Sequence, residues 1–353
     1  MIPSTRPYLP PLERYQRMVA EIWDRRWLTN HGYFLQSFET RIAKYFDLPY
    51  ATVVNSGTTG LLMALEALPH GSEIITTPFS YVATTSSITW QGLKPVFADI
   101  EPDALTLDPE EVRKKITPRT SAVLATHVFG NPCDVEALEA LAQEANLTLI
   151  FDAAHCFGTE YNGQSVLKRG DVSILSFHAT KVFHTIGGGM ITARTQEVKE
   201  AMDRKRNFGH VGQNDFKGRG INGKMDEFQA AMGLLNLEVA EELVAKRRSQ
   251  WSYYRDGLKD AFDLMTLRDE RGFNGAYFPI FLPPHLHAEE VKSRAMEKGM
   301  ELRRYFYPSL NTLGFSETCP IAEDRAKRVL CLPMFHDMET REQDAVMDFL
   351  RNQ

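Results

Sequence analysis

The feature that most constrains the fold of this chain is an alternation of short apolar runs with helical segments across residues 51–192. Runs of four or five residues, bounded by polar residues and glycines, are typical of strands buried in a parallel sheet. A chain that alternates strands and helices at this pace folds as an α/β protein, with a mostly parallel sheet covered on both faces. The predicted strands are 51–54, 73–77, 95–98, 122–126, 147–151, 172–175 and 190–192, the last of which can run antiparallel.

The regions on either side of this alternation predict two further parts. Residues 1–35 form an N-terminal arm with an aromatic and polar loop at 27–32, which is either a plain surface loop or the wall of a site. Residues 36–245 form the large α/β domain, and a long helix at 225–245 bridges it to the next part. Residues 246–353 form a smaller C-terminal α+β domain.

Short strands and a final helix are predicted within the C-terminal domain. The strands lie at 277–282, 302–307 and 328–332. The final helix begins near residue 341, with Thr340 as its cap and Gln343 placed to complete a capping box.

Composition excludes several classes of protein. The net charge is -6 and the pI is about 6.0, without a basic patch, so nucleic-acid binding has no electrostatic support. No run of 18 apolar residues and no signal peptide is visible, so we expect a cytoplasmic protein without a membrane span. The four cysteines form no CxxC pair, so neither a disulfide framework nor a zinc site is expected.

Two reactive side chains follow two of the predicted strands. Asp152 comes directly after the strand 147–151, and Lys181 follows the strand 172–175. Ligands of open α/β sheets bind outside the carboxyl ends of the strands. A lysine and an aspartate at such ends suit pyridoxal phosphate, because the lysine forms a Schiff base and the aspartate pairs with the pyridinium nitrogen. On spacing alone, a solvated loop lysine and a helix-capping aspartate remain open.

The segment 55–60 (NSGTTG) separates the first strand from a helix. Free N–H groups and the helix macrodipole favour a phosphate at such a helix start. Plain helix capping by Ser56 or Thr58 is the alternative. The Walker and dinucleotide-binding patterns are both absent.

These motifs, in this order, resemble the DegT/DnrJ family of nucleotide-sugar aminotransferases, which are pyridoxal-phosphate enzymes of fold type I, the aspartate aminotransferase-like fold. The matching segments are 27–30 (WLTN), 55–58 (NSGT), 77–84 (TPFSYVAT), 152–155 (DAAH), 176–181 (SFHATK), 222–225 (NGKM), 304–308 (RYFYP) and 330–333 (LCLP). The wording of 177–183 (FHATKVF) is most similar to members that act at C4 of dTDP-4-keto-6-deoxyglucose.

The resemblance implies roles for the residues that handle the cofactor ring. Lys181 would bind the cofactor covalently and move protons, and Asp152 would keep the pyridine nitrogen protonated. His155 would lie beside the ring, although a packed core histidine is the alternative at that position. Tyr81 would stack on the ring.

The resemblance also implies which residues bind phosphate and substrate. Gly57, Thr58 and Ser176 would hold the cofactor phosphate. Asn222 would reach the cofactor phosphate of a neighbouring subunit, which makes the active unit a homodimer with shared sites. Substrate contacts are expected from Thr29, Asn30, Arg304 and Tyr305.

The implied reaction moves an amino group from L-glutamate, through pyridoxamine phosphate, to the C4 keto carbon of a nucleotide-linked 4-keto-6-deoxyhexose. Such products serve surface-polysaccharide or related amino-sugar biosynthesis. Amination at C3 and a sugar dehydratase on the same fold remain alternatives, although members turned to dehydration can carry histidine in place of the lysine. A cofactor-binding regulator is a further alternative, but no DNA-binding module is visible. The chain departs from many relatives at Gly187, where they carry an acidic residue.

Overall fold

The structure is a computed structural model that describes residues 1–353, and it contains twelve α-helices, three short 3₁₀ helices and twelve strands. The helices are α1 (Leu12–Arg25), α2 (Tyr33–Tyr45), α3 (Gly57–Leu65), α4 (Val82–Trp90), α5 (Pro109–Lys115), α6 (Val135–Glu144), α7 (Gln196–Arg206), α8 (Glu227–Leu237), α9 (Ala240–Leu258), α10 (Ala288–Glu297), α11 (Pro320–Arg328) and α12 (Thr340–Arg351). The strands are β1 (Ala51–Val54), β2 (Glu73–Thr76), β3 (Lys94–Phe97), β4 (Thr120–Thr126), β5 (Thr148–Asp152), β6 (Glu160–Tyr161), β7 (Gln164–Ser165), β8 (Val172–Ser176), β9 (Gly189–Ala193), β10 (Asp263–Leu264), β11 (Pro279–Phe281) and β12 (Val329–Cys331).

Seven strands form the central sheet in the order β1-β9-β8-β5-β4-β2-β3. All neighbours in the run from β8 to β3 are parallel, whereas β9 pairs antiparallel with both β1 and β8. The predicted mostly parallel α/β sheet is therefore confirmed, and so is the antiparallel strand after the glycine triplet. Because β4, β5 and β8 are parallel and adjacent, the residues at their carboxyl ends meet at one edge of the sheet.

Helices cover both faces of this sheet, which explains why its strands are largely apolar. Along β5, Ile150 packs into the cluster on the α3 and α4 side, with Leu61 and Ile88. The next residue of β5, Phe151, packs into the cluster on the α6 side, with Leu138. Successive strand residues point to opposite faces, so two covered faces favour a nearly continuous apolar run.

The C-terminal part contains the antiparallel sheet β10-β11-β12. The predicted strand at 302–307 is wrong, because only Arg303 makes an isolated bridge, to Cys331, before the chain turns away. This short β-like run instead carries Tyr305 and Phe306 towards the large sheet, where the ring of Phe306 stacks on Phe129. Packing of the aromatic rings thus replaces strand pairing there.

The single helix predicted for 225–245 is also wrong. The chain breaks at Glu238 and Val239, and α9 then continues through residue 245 to Leu258, so the predicted domain boundary lies within a helix. The break follows Asn236, whose buried side chain donates to the carbonyl of His184 at 2.9 Å. The spacing of apolar residues along a helix does not reveal a tertiary contact of this kind, so the break cannot be predicted from that spacing.

The cap of the last helix differs by one position from the prediction. Glu339 caps α12, and its backbone N–H donates to Glu342 Oε2 at 2.8 Å, which completes the capping box. Gln343 is buried and donates instead to the carbonyl of Gln250 at 2.9 Å. None of the helices combines the length and the apolarity that a bilayer crossing requires.

Candidate active site

A cavity of about 410 Å³ lies at the carboxyl edge of the central sheet. The ends of β4, β5 and β8 form its floor, and the starts of α3 and α4 form part of its wall. Residues from the C-terminal half close it on the other side. Predicted cofactor and substrate residues that line it are Gly57, Thr58, Tyr81, Asp152, His155, Ser176, Lys181 and Tyr305.

Asp152 is the last residue of β5, and its carboxylate is buried beneath the cavity, with 5% of the residue exposed. Thr84 Oγ1 donates to Oδ2 at 2.7 Å, and the N–H of Ala154 donates to Oδ1 at 3.1 Å. Burial raises the pKa of Asp152, and these two hydrogen bonds and the charge of Lys181 oppose that rise. A buried carboxylate of this kind is stabilised by a cation, such as a protonated ring nitrogen.

A chain of hydroxyl groups supports this carboxylate. Ser80 Oγ lies 2.8 Å from Thr84 Oγ1 and 3.2 Å from Thr126 Oγ1, and all three residues are buried. Each hydroxyl can donate once while it accepts from its neighbour, so the chain orients the Thr84 proton towards Asp152.

Thr84→Val should remove this donor and keep the shape of the side chain. We expect the free energy of unfolding of the cofactor-loaded protein to fall by about 1.5–3 kcal/mol, the usual contribution of a hydrogen bond to a charged group. Urea unfolding of the loaded protein measures it. Thr89→Val, which removes an exposed hydroxyl at the end of α4, is the control. Equal stability of the two variants would contradict a role for Thr84.

His155 is buried and packed, and it also lines the cavity. The N–H of Phe129 donates to Nδ1 at 3.1 Å, and the imidazole lies parallel to Phe306 at 5.8 Å between centroids. Burial lowers the pKa of His155, and the charge of Lys181 adds to that effect. The ring is therefore neutral, and because Nδ1 accepts a hydrogen bond, its proton resides on Nε2.

Lys181 follows β8 and reaches into the same cavity. Its Nζ donates to the hydroxyl of Tyr277 at 3.1 Å. The structure thus brings Lys181 and Asp152 together, as the sequence predicts from their strand ends.

The start of α3 forms an anion cradle. Ser56 caps the helix, because its Oγ accepts from the N–H of Thr59 at 3.0 Å and its carbonyl accepts from Gly60 at 3.2 Å. The N–H groups of Gly57 and Thr58, in the first turn, have no acceptor within the helix. A Cβ on Gly57 would lie 3.1 Å from Ser176 Cβ, which is a tight contact, so glycine keeps the most room at the cradle.

Two further predicted residues line the cavity from its rim. Tyr81 precedes α4 and remains 59% exposed, which leaves its ring free to contact a ligand. Tyr305 lies edge-on to Tyr277, with 5.7 Å between ring centroids. Burial raises the pKa of Tyr305 to about 12, and its hydroxyl is therefore neutral at physiological pH.

Four predicted residues do not line this cavity. Thr29 and Asn30 are exposed between α1 and α2. Asn222 is exposed, and its carbonyl accepts from Asn55 Nδ2 at 3.1 Å. The guanidinium of Arg304 donates to Glu289 Oε1 and to the carbonyl of Lys327, both at 3.0 Å, so it is committed within the C-terminal part.

The glycine at position 187 also lines the cavity. A Cβ at this position would lie 3.2 Å from Nε2 of Gln229, on α8. Gln229 is a flexible side chain that can move by a few tenths of an ångström, so the structure does not require glycine at this position.

Sequence reasoning missed Tyr277, which lines the cavity and contacts Lys181. The sequence pattern predicts Tyr277 only as the start of a strand, and Tyr277 lies 96 positions from Lys181. No local pattern connects residues at such a separation. The roles of Ser80 and Thr84 inside the matched segment 77–84 were also missed.

The residues present fit pyridoxal phosphate. A buried carboxylate, a primary amine and an N-terminal helix cradle meet in one cavity, with an exposed tyrosine at its rim. These are the partners that a pyridinium nitrogen, an aldehyde, a phosphate and an aromatic ring require.

Comparisons with known proteins agree with this fit. The sequence model of the DegT/DnrJ/EryC1/StrS aminotransferase family matches residues 12–351. The chain is 39% identical to a dTDP-4-amino-4,6-dideoxy-D-glucose transaminase of Shigella dysenteriae, over 98% of this chain and 97% of that protein. It is 35% identical to a protein of the same description from Escherichia coli, over 96% and 94% of the two chains.

A solved structure of DesI in the presence of its TDP-sugar product superposes with a TM-score of 0.92. The two sequences are 32% identical, and the match covers 98% of this chain and 91% of DesI. The chain therefore belongs to the DegT/DnrJ/EryC1/StrS aminotransferase family, and it is a pyridoxal-phosphate-dependent sugar aminotransferase.

Proposed function

We propose that the protein transfers an amino group from L-glutamate to the C4 keto carbon of dTDP-4-keto-6-deoxyglucose. The observation that carries this proposal is the meeting of Lys181 and Asp152 in one cavity. The sugar is proposed because the two relatives described above are named for the corresponding 4-amino product.

In this proposal, some residues of the site bind the cofactor and Lys181 moves protons. Pyridoxal phosphate, when bound, supplies a ring that accepts the electrons left when a proton leaves carbon. Asp152 would hold a proton on the ring nitrogen, and the Gly57, Thr58 and Ser176 cradle would bind the phosphate. Lys181 Nζ would take the proton from the carbon of the amino donor and deliver a proton to C4 of the sugar.

The four residues that we propose contact the substrate lie at three places in the structure. Tyr305 lines the cavity, so its hydroxyl can reach a bound sugar. Thr29 and Asn30 lie on an exposed loop, and the N–H of Glu227 donates to the carbonyl of the preceding Leu28 at 3.0 Å. Arg304 would have to leave Glu289 to contact a diphosphate.

We also propose a homodimer in which Asn222 completes the partner's phosphate site. The exposed segment around Asn222 carries apolar side chains that suit an interface. Its exposed large apolar residues are Phe208, Val211, Phe216 and Ile221.

A mixture of two inactive variants, Lys181→Ala and Asn222→Ala, tests this arrangement. In a mixed dimer with shared sites, one site receives both wild-type residues, so reassembly of the two variants should restore about a quarter of the wild-type activity. Sites contained within one subunit would restore none. Sedimentation of the wild type gives the size of the assembly.

The proposed reaction is tested by a product assay. The protein is mixed with pyridoxal phosphate, L-glutamate and dTDP-4-keto-6-deoxyglucose, and the product is analysed by mass spectrometry and NMR. A 4-amino sugar is expected, and its coupling constants give the configuration at C4. A 3-amino product, a deoxy product without nitrogen, or an untouched sugar would each refute the proposed reaction.

A further inference from the structure

Lys181 has one side-chain hydrogen-bond partner in the structure, and that partner is Tyr277. The two groups are 3.1 Å apart, and Tyr277 belongs to the C-terminal half of the chain, just before β11. The amine emerges from the large sheet, so this contact joins the two halves of the chain at the reactive atom.

The phenol ring is held firmly from three sides. It packs against His155 with 4.8 Å between centroids, against Phe129 at 5.7 Å and against Tyr305 at 5.7 Å. These contacts restrict the ring to one orientation, because aromatic pairs at such distances are in direct contact.

The backbone that leads to Tyr277 is fixed as well. Asn274 donates to the carbonyls of His155 and Phe157, at 2.6 and 2.9 Å, and its own Oδ1 accepts from the N–H of Ala276 at 3.0 Å. This segment is therefore tied to the loop that follows β5. The hydroxyl of Tyr277 has a set position relative to the floor of the cavity.

A buried cation lies near this tyrosine. Arg247, on α9, is 6% exposed, forms no ion pair and donates to the carbonyl of Met334. Arg247 and Tyr277 both line a small second cavity of about 20 Å³. Burial lowers the pKa of Arg247 to about 10, and Tyr277 opposes this effect. A nearby positive charge favours the phenol oxygen as a hydrogen-bond acceptor.

We propose that Tyr277 is a positioning residue that keeps the amine of Lys181 directed into the cavity in both of its protonation states. The phenol oxygen accepts from the ammonium form, and the phenol O–H donates to the neutral amine. The amine of Lys181 therefore keeps Tyr277 as its hydrogen-bond partner when it gains or loses a proton. Arg247 favours the phenol oxygen as the acceptor. This inference rests on the proposed role of Lys181 in moving protons.

Tyr277→Phe tests the proposal by removing one oxygen atom and keeping the ring. We expect kcat to fall about 10- to 100-fold, the effect of losing a hydrogen bond to a charged group, with KM for the nucleotide sugar within about twofold. Tyr254→Phe is the matched control. It also removes a buried hydroxyl, one that donates to the carbonyl of Pro333 and lies away from the cavity.

A second readout needs neither cofactor nor sugar. The apoprotein is treated with a trace of acetic anhydride at neutral pH, and acetylation of Lys181 is measured by mass spectrometry relative to Lys114, an exposed lysine on α5. Release of the amine from Tyr277 should raise relative labelling of Lys181 several-fold in Tyr277→Phe and leave it unchanged in Tyr254→Phe. If labelling of Lys181 rises in Tyr277→Phe but the wild-type protein does not aminate the proposed sugar, the proposed reaction is refuted and the contact between Tyr277 and Lys181 is supported.

A variant with 3-fluorotyrosine at position 277 distinguishes an effect on the hydrogen bond to Lys181 from a general loss of structure. It keeps both the ring and the hydroxyl but makes the phenol more acidic. We expect the pH profile of kcat to move, with thermal stability unchanged. Unchanged labelling in Tyr277→Phe, or an unmoved pH profile in the fluorinated protein, would overturn the proposal.

Discussion

Lys181→Ala is expected to reduce turnover by about 10⁴-fold, because it removes the group that we propose moves protons in both halves of the reaction. It will also abolish the visible absorbance of the lysine-linked cofactor. The phosphate cradle and Asp152 are untouched by the change, so the variant should still bind the cofactor noncovalently. Turnover is measured by the product assay, and binding by equilibrium dialysis.

Lys114→Ala is the control for this experiment. Lys114 is an exposed lysine on α5 that pairs with Glu111 at 2.6 Å, and surface pairs of this kind contribute little. The control should match the wild type in turnover and absorbance. Substantial turnover in Lys181→Ala would refute the assignment of Lys181.

Asp152→Asn is expected to lower kcat by about 10²- to 10⁴-fold, because a neutral amide cannot keep a ring nitrogen protonated. The side chain keeps its size, and Oδ1 can still accept from Ala154. The loss should therefore appear in kcat while the fold remains intact. Steady-state kinetics measure the loss, and circular dichroism serves as the check on folding.

The same variant has an opposite expected effect on the apoprotein. Burial raises the pKa of Asp152, so folding favours the neutral acid. The stability contributed by this group is present at pH below its unfolded pKa and is lost as pH rises through the raised folded pKa. At neutral pH, which is above the unfolded pKa, the wild-type apoprotein therefore bears the cost of burying an acidic group, whereas the amide does not titrate.

We accordingly expect apo Asp152→Asn to melt no lower than the wild-type apoprotein at neutral pH, while the stabilisation that pyridoxal phosphate confers becomes smaller. Differential scanning fluorimetry with and without the cofactor measures both quantities. A variant that loses stability equally in the two forms would indicate that Asp152 supports the fold and not the cofactor.

Much of the α/β fold could be predicted because the relevant signals are local. Each buried strand is an apolar run, and each of the two key side chains follows such a run directly. Parallel pairing of β4, β5 and β8 then brings strand ends to one edge whatever the details of the helices. This is why the sequence alone predicts that Asp152 and Lys181 share one site.

Errors arose where a nonlocal contact outweighed the local pattern. The segment 302–307 has the composition of a strand, but packing of Phe306 against Phe129 directs it into the cavity wall. The helix after residue 225 breaks near Asn236, which bonds to His184. In both places the side chain's partner lies far away in the sequence.

Local sequence patterns are sufficient to predict the fold class, the edge of the sheet that carries the candidate site, and the amine, carboxylate and helix start that meet there. The side chains that contact these three groups depend on tertiary packing. Thr84 orients Asp152, Phe129 sets the tautomer of His155, and Tyr277 contacts the Lys181 amine. Strand ends are positioned by hydrogen bonds between neighbouring strands, whereas these contacts depend on packing between distant segments.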